Sequence, residues 1–146
     1  EVRNQGMQQA ESEWIAFVDD DDCLSPDYVD CLVAESKSCP SAAVIIFRMW
    51  HPEQHRIIPP FEHTDFLEGH VGISFSIRTS LHKQQGFKFT PGPTEDFAFI
   101  DAIRKAGYKM VLSPHVTYWV REARYGKSAG QRIIDESTPT RAYINA

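Results

Sequence analysis

Four consecutive carboxylates, Asp19, Asp20, Asp21 and Asp22, follow directly on the apolar run Trp14-Ile15-Ala16-Phe17-Val18. Like charges packed this closely repel one another unless something offsets them. A divalent cation does so well, because Mg2+ and Mn2+ prefer oxygen ligands. The end of a strand in an α/β sheet is also where ligands bind. Two other readings of the same residues stand beside this one: a solvated acidic turn, and an acidic surface that collects calcium. An EF-hand is excluded. A loop beginning at Asp19 would put Cys23, Leu24 and Asp30 where an oxygen-bearing side chain, a glycine and a glutamate are required.

A second acidic pair, Glu95-Asp96, follows a stretch holding Pro91, Gly92 and Pro93. A carboxylate held close to a hydroxyl acts as a general base; the plainer reading is first-turn charge that suits a helix dipole. Of the six histidines, none forms an H-E-x-x-H pair. His115 lies in a short expected strand near the later part of the chain, where it would complete a metal site or stand as a structural residue. Neither G-x-x-x-x-G-K-[ST] nor G-x-G-x-x-G occurs, so P-loop and dinucleotide fingerprints are excluded.

Positioning these groups requires an alternation of strands and helices. Glu1 to Ala10 reads as the end of a helix, and Trp14 to Val18 as a strand covered on both faces. Ser25-Pro26 reads as a helix start, with Ser25 as N-cap and Pro26 at the first helical position. Tyr28, Val29, Leu32 and Val33 continue it at helical spacing. Ala43 to Met49 is the next strand, and His51 to Asp65 a loop of binding length. Val71 to Ile77 is a strand, and Thr79 to Gln85 a short helix closed by Gly86. Thr94 caps a helix ending at Gly107, and Tyr108–Leu112 and Val116–Val120 are two short strands around Ser113-Pro114. The expected fold class is α/β.

Composition narrows the function classes. The chain has 146 residues, 42% hydrophobic and 24% charged, an ordinary globular mix for one domain. A net charge of −5 argues against a dedicated nucleic-acid binder. The longest apolar run is Ala42 to Phe47, far short of the ~20 residues of a membrane-spanning helix. Cys23, Cys31 and Cys39 are odd in number and match no zinc spacing; reduced thiols in the cytoplasm are expected. No basic-then-apolar leader is visible. After residue 121 the chain turns basic and polar, with Arg121, Arg124, Lys127, Arg132 and Arg141, suited to a diphosphate or to a solvated tail.

Taken in order, these pieces resemble the family 2 glycosyltransferases of the GT-A fold. The likeness rests on Arg3-Asn4-Gln5-Gly6, on Glu13 to Asp22, and on Leu24-Ser25-Pro26-Asp27-Tyr28, against a pattern of A-R-N-x-G helix, apolar strand, D-x-D-D turn and L-x-P-D-Y. A second block follows: Ile77-Arg78, Gly86-Phe87, Glu95-Asp96-Phe97, Ala106-Gly107-Tyr108-Lys109, Ser113-Pro114, and Tyr118 with Arg121. The resemblance implies a GT-A-like α/β/α sandwich with a mixed sheet and helices on both faces, the fold of nucleotide-diphospho-sugar transferases, over residues 1–121, with 122–146 as a basic polar tail.

It implies a function too: a metal-dependent, inverting transfer of sugar from a UDP- or GDP-type donor to an acceptor hydroxyl. Arg3, Asp19, Asp20 and Asp21 would bind the donor. Asp19 and Asp21 would hold Mn2+ or Mg2+, with Asp21 the direct ligand and His115 completing the site. Asp96 would be the catalytic base, supported by Glu95. In the family the A-R-N-x-G helix follows the first strands of the domain, whereas here it begins at residue 3. The expectation is a partial GT-A domain whose exposed sheet edge pairs with a second copy. The competing expectation is a non-catalytic remnant acting as a binding or assembly module.

Overall fold

The protein was analysed as a computed structural model, which describes residues 2–120 and 140–146. Its organising element is β3 (Val44–His51), formed from the apolar run and buried along almost its whole length. Residues flanked by strands and covered on both faces favour such unbroken β-branched and aromatic runs. β5 (Phe75–Arg78) pairs antiparallel with β3 on one side and β6 (Met110–Trp119) parallel on the other. β1 (Trp14–Ala16) pairs antiparallel with β5 at one edge, and β2 (Cys23–Leu24) antiparallel with β6 at the other. The sheet order is β1-β5-β3-β6-β2. β4 (Arg56–Ile58) pairs with the end of β3, and β7 (Ala142–Ile144) with the start of β6.

Alternation along β3 sends successive side chains to opposite faces. Val44 and Ile46 join the core under α1 (Val2–Gln9), α3 (Thr79–Lys83) and α4 (Glu95–Lys105), which contribute Met7, Leu81, Phe99, Ile100 and Ile103. Ile45 and Phe47 join Tyr28 and Cys31 of α2 (Tyr28–Ser38) on the other face. The mixed sheet with helices on both faces is therefore the fold that the sequence leads one to expect.

Local expectations are corrected at several points. The run Trp14 to Val18 is not a strand covered on both faces: β1 is a short edge strand with Ala16 exposed, and Val18 beyond it is exposed too. α2 does not start on Ser25: the Ser25 N–H still belongs to the sheet, donating to Thr117 O at 2.8 Å, and its hydroxyl donates to Asp27 Oδ1 at 2.6 Å. The helix opens at Tyr28 with Asp27 in the cap position. The segment His51 to Asp65 is not all loop. A 3-10 turn, Pro52–Gln54, and a left-handed His55 with φ of 46° return the chain as β4, burying Ile57 and Ile58. Finally, Ser113-Pro114 does not divide two strands. β6 runs through it because β3 advances from Ile46 to Arg48 while β6 advances from Leu112 to Val116. That bulge takes Pro114, which has no N–H, out of the ladder. In the segment set apart as a tail, residues 122–139 lie outside the described residues, and Ala142–Ile144 form β7 within the sheet.

Arg48 holds this bulged region together. Its side chain is fully buried and donates to four carbonyls: Ser113 O at 3.1 Å, Pro59 O at 2.9 Å, Thr140 O at 2.8 Å, and Pro60 O. Burial pushes its guanidinium down to about 10, so it remains charged at neutral pH. The peptide bond between Ile58 and Pro59 is cis. Arg48→Met should leave these carbonyls without a donor. At ~1–3 kcal/mol for each buried unsatisfied group, the expected loss is about 3 kcal/mol or more, read by urea unfolding followed by far-UV circular dichroism.

Candidate functional site

β1 ends at Ala16, and the rest of its apolar run leaves the ladder. Phe17 anchors the exit, its ring edge-on to Phe75 at 5.6 Å and to Phe89 at 5.4 Å. The chain then closes a tight turn in which the Asp22 N–H donates to Asp19 O at 3.1 Å. Tyr118 of β6 pins this turn from beneath. Its hydroxyl accepts from the Asp19 N–H at 3.1 Å and donates to Asp22 Oδ2 at 2.7 Å. Burial, reinforced by the negative charge of Asp22 and Asp19, pushes the Tyr118 phenol well above its usual range, so it stays a neutral donor. Asp19 is half-buried, whereas Asp20 and Asp21 are exposed at the tip.

The other acidic pair sits in the first turn of α4, where the helix dipole favours negative charge. α4 is registered against the sheet by Phe99, stacked on Phe89 at 4.0 Å and on Phe75 at 5.9 Å. The loop before α4 is tied to α1 by Asn4. Its amide donates to Phe89 O at 2.9 Å and accepts from the Phe89 N–H at 2.8 Å. One residue earlier, Arg3 closes the site. Nη1 donates to Glu95 Oε1 at 2.9 Å and Asp96 Oδ1 at 2.8 Å, and Nη2 donates to Asp19 Oδ1 at 2.8 Å. Its guanidinium also lies over the Phe89 ring, 5.4 Å from the centroid.

Electrostatics follow from this packing. Burial pulls the Arg3 guanidinium down, but its hydrogen bond to Asp19 and the charges of Asp96, Asp19 and Glu95 outweigh that and hold it above the ordinary value. Burial raises the Asp96 carboxyl, and Glu95 and Asp19 add to that, while Arg3 pulls the other way; the net direction is upward. Two cavities open here. One, of about 540 Å³, runs from Arg3 and Asp19 along Ile15 to Val18 and includes Asp20. The other, of about 320 Å³, is lined by Arg3, Glu95, Asp96, Thr94 and Gly69.

The structure thus brings Arg3, Asp19, Glu95 and Asp96 together, with Asp20 on the wall of the larger cavity. His115 stands elsewhere, its Nε2 3.7 Å from the buried Glu35 Oε1. Glu35 also accepts from the Ser113 hydroxyl at 3.1 Å and from Arg141 Nη2 at 2.7 Å. Among the described residues, no group of three or more His, Cys, Asp and Glu side chains is arranged to hold a metal ion. Of the basic residues after 120, Arg121, Arg124, Lys127 and Arg132 lie outside the described residues, and Arg141 is engaged by Glu35. Among the described residues no helix is long and apolar enough to cross a membrane, and Cys23, Cys31 and Cys39 are free thiols.

Asn4 and Tyr118 belong to the motifs that carry the resemblance, but the sequence reading assigns neither of them a role at the site. Asn4 sits beside Arg3 on α1, but its partner Phe89 is 85 positions away. Tyr118 looks like any aromatic in a strand until β6 is seen to run beneath the acidic turn.

Residues 1–105 match Glycosyl transferase family 2. The chain belongs to that family. No curated protein matches it. Among solved structures it is similar to S. aureus TarS 1-349, at 19% identity and a TM-score of 0.62, covering 90% of this chain and 42% of that one. It is likewise similar to S. aureus TarS 1-349 in complex with UDP-GlcNAc, at 21% identity and a TM-score of 0.62, covering 82% of this chain and 38% of that one. A further structure, S. aureus TarS, gives 21% identity, a TM-score of 0.61, and coverage of 90% and 26%. The fold is that of GT-A glycosyltransferases, and the chain spans less than half the length of these structures.

Asn4→Ala should remove both hydrogen bonds to Phe89 and leave two backbone groups of the loop without partners. The expected destabilisation is about 1–3 kcal/mol, with faster amide hydrogen exchange at Phe89 than in the unaltered protein. Unchanged exchange there would show that the loop is held by its aromatic stack alone.

Proposed function

We propose that this member of glycosyl transferase family 2 handles a nucleotide-sugar at the Asp19–Asp21 turn and passes the sugar to an acceptor hydroxyl beside Asp96. The observation that carries this reading is the convergence on Arg3. The acidic turn and the Glu95-Asp96 pair lie within hydrogen-bond reach of one guanidinium, at the junction of two cavities. The similarity to a structure in complex with UDP-GlcNAc supports a UDP-type donor, with GDP as the other member of the class.

Asp21 and Asp19 have the hard oxygen donors that Mg2+ and Mn2+ take. Mg2+ sites built on one or two carboxylates are completed by substrate phosphates, so the donor itself would supply the remaining ligands. A metal held there would neutralise charge on the leaving diphosphate. The acceptor oxygen attacks the anomeric carbon as the bond to the diphosphate breaks, and the nucleoside diphosphate departs. The hydroxyl proton goes to Asp96, and one displacement inverts the carbon. The upward direction of the Asp96 carboxyl suits a proton acceptor. Glu95 shares the Arg3 Nη1 and orients the pair.

A second reading has its own observation. β1 has a strand partner only in β5, so its outer edge carries no strand among the described residues. Val18, just beyond β1, is 51% exposed, and Val2 of α1, 81% exposed, lines the same cavity as Ile15 to Val18. An open edge with apolar margins invites another strand. We propose a homo-oligomer through β1, and for a chain without transfer activity, a binding or assembly role.

Calorimetry with UDP or GDP and Mn2+ separates the readings. Metal-dependent binding supports the donor site, and its absence supports the assembly module. Asp21→Ala should abolish that binding. Asp96→Asn should retain it while lowering transfer by about 10²–10⁴-fold; unimpaired transfer would exclude Asp96 as the base. Light scattering should give at least a dimer mass, and a monomer at high concentration would exclude pairing through β1.

A further inference from the structure

Resting on the donor-site reading above, we propose that Arg3 is a positioning residue that couples the two cavities: it grips Asp96 until a diphosphate draws it away. A guanidinium is a rigid fork of N–H donors. Here Nη1 is shared between Glu95 Oε1 and Asp96 Oδ1, while Nη2 goes to Asp19 Oδ1. Three carboxylates from two separate elements thus share one cation. Arg3 lines both cavities, with Asp19 and Asp20 in the larger and Glu95 and Asp96 in the smaller.

A diphosphate arriving at Asp19 brings phosphate oxygens into reach of the same N–H groups. Arg binds phosphate in two-pronged, charge-assisted fashion, whereas here Arg3 reaches only one oxygen of each of the three carboxylates. Arg3 can answer without moving α1. It sits in the helix's first turn, its side chain is partly exposed, and its stem is long and unbranched. Turning Nη1 toward phosphate removes its bond to Asp96 Oδ1. That oxygen is then available to accept from an acceptor hydroxyl, and the change happens only with the donor in place. The oxygen that Arg3 holds is thereby kept from water and other hydroxyls until a sugar is there to transfer. Coupling of this kind is reciprocal: loosening the grip of Arg3 on Asp96 must strengthen donor binding.

The test is a double-mutant cycle on UDP affinity in the presence of Mn2+, by calorimetry on the unaltered protein, Asp96→Asn, Arg3→Gln and the double variant. Asp96→Asn should tighten UDP binding by about 5-fold or more, and the gain should vanish when Arg3 is Gln. Should Arg3→Gln not fold, Arg3→Lys takes its place, since one ammonium lacks the two-pronged fork; the gain should then shrink. Tightening that persists in full without Arg3 would assign the effect to direct charge repulsion by Asp96 and overturn the coupling. An unchanged affinity in Asp96→Asn would overturn it too. Failure of the unaltered protein to bind UDP or GDP would sink the donor-site reading itself, and the coupling with it.

Discussion

One guanidinium facing three carboxylates is the interaction on which the site depends. Without Arg3, Asp19, Glu95 and Asp96 would be brought together as like charges in a half-buried place, with only repulsion between them. With it, the acidic turn at the end of the first strand and the first turn of α4 have a common partner. The same residue lines both cavities, so it is at once a structural tie and part of the wall that a ligand in either would meet.

The scaffold around Arg3 makes that contact reproducible. Asn4 fixes the loop ahead of α4 through both backbone groups of Phe89, and Phe89 in turn stacks on Phe99 of the helix. Tyr118 fixes the acidic turn from below, through a backbone N–H and a carboxylate. Each carboxylate group is therefore held by a neighbour that is not itself an acid. Side chains locked by packing and by a second layer of hydrogen bonds are what keep a site at productive geometry.

Far from this site, a second polar cluster secures the last described strand. Glu35, 1% exposed, receives Arg141 and Ser113, and Arg48 reaches Thr140 from the other side. These contacts place β7 against β6, so the end of the chain belongs to the sheet. His115 has its place there beside Glu35. A histidine expected near a metal thus lies near a buried carboxylate, because the bulge at Ser113-Pro114 sets which way β6 continues after Leu112.

Much was already written in the order of residues. The apolar run of β3 read as a strand covered on both faces, because burial on two sides leaves no polar face to alternate; the run at Trp14 read the same way but forms an edge strand with Ala16 and Val18 exposed. Asp19 to Asp22 and Glu95-Asp96 stood out because clustered charge is costly without an offset, and Arg3-Asn4-Gln5-Gly6 gave the likeness its start. Boundaries were less legible: Ser25 looked like a cap but belongs to a strand pair, and Pro114 looked like a break but sits in a bulge. Both depend on what lies across the sheet, which neighbouring residues do not encode. Pairing across long separations was beyond local reading altogether. Arg3 is 92 positions from Glu95, and only the folded chain could show that its cation meets both acidic motifs at once. Residue types set which chemistry was available; the sheet order and the packing of α1 against α4's loop decided which groups share it, because electrostatic contact depends on distance in space and not along the chain.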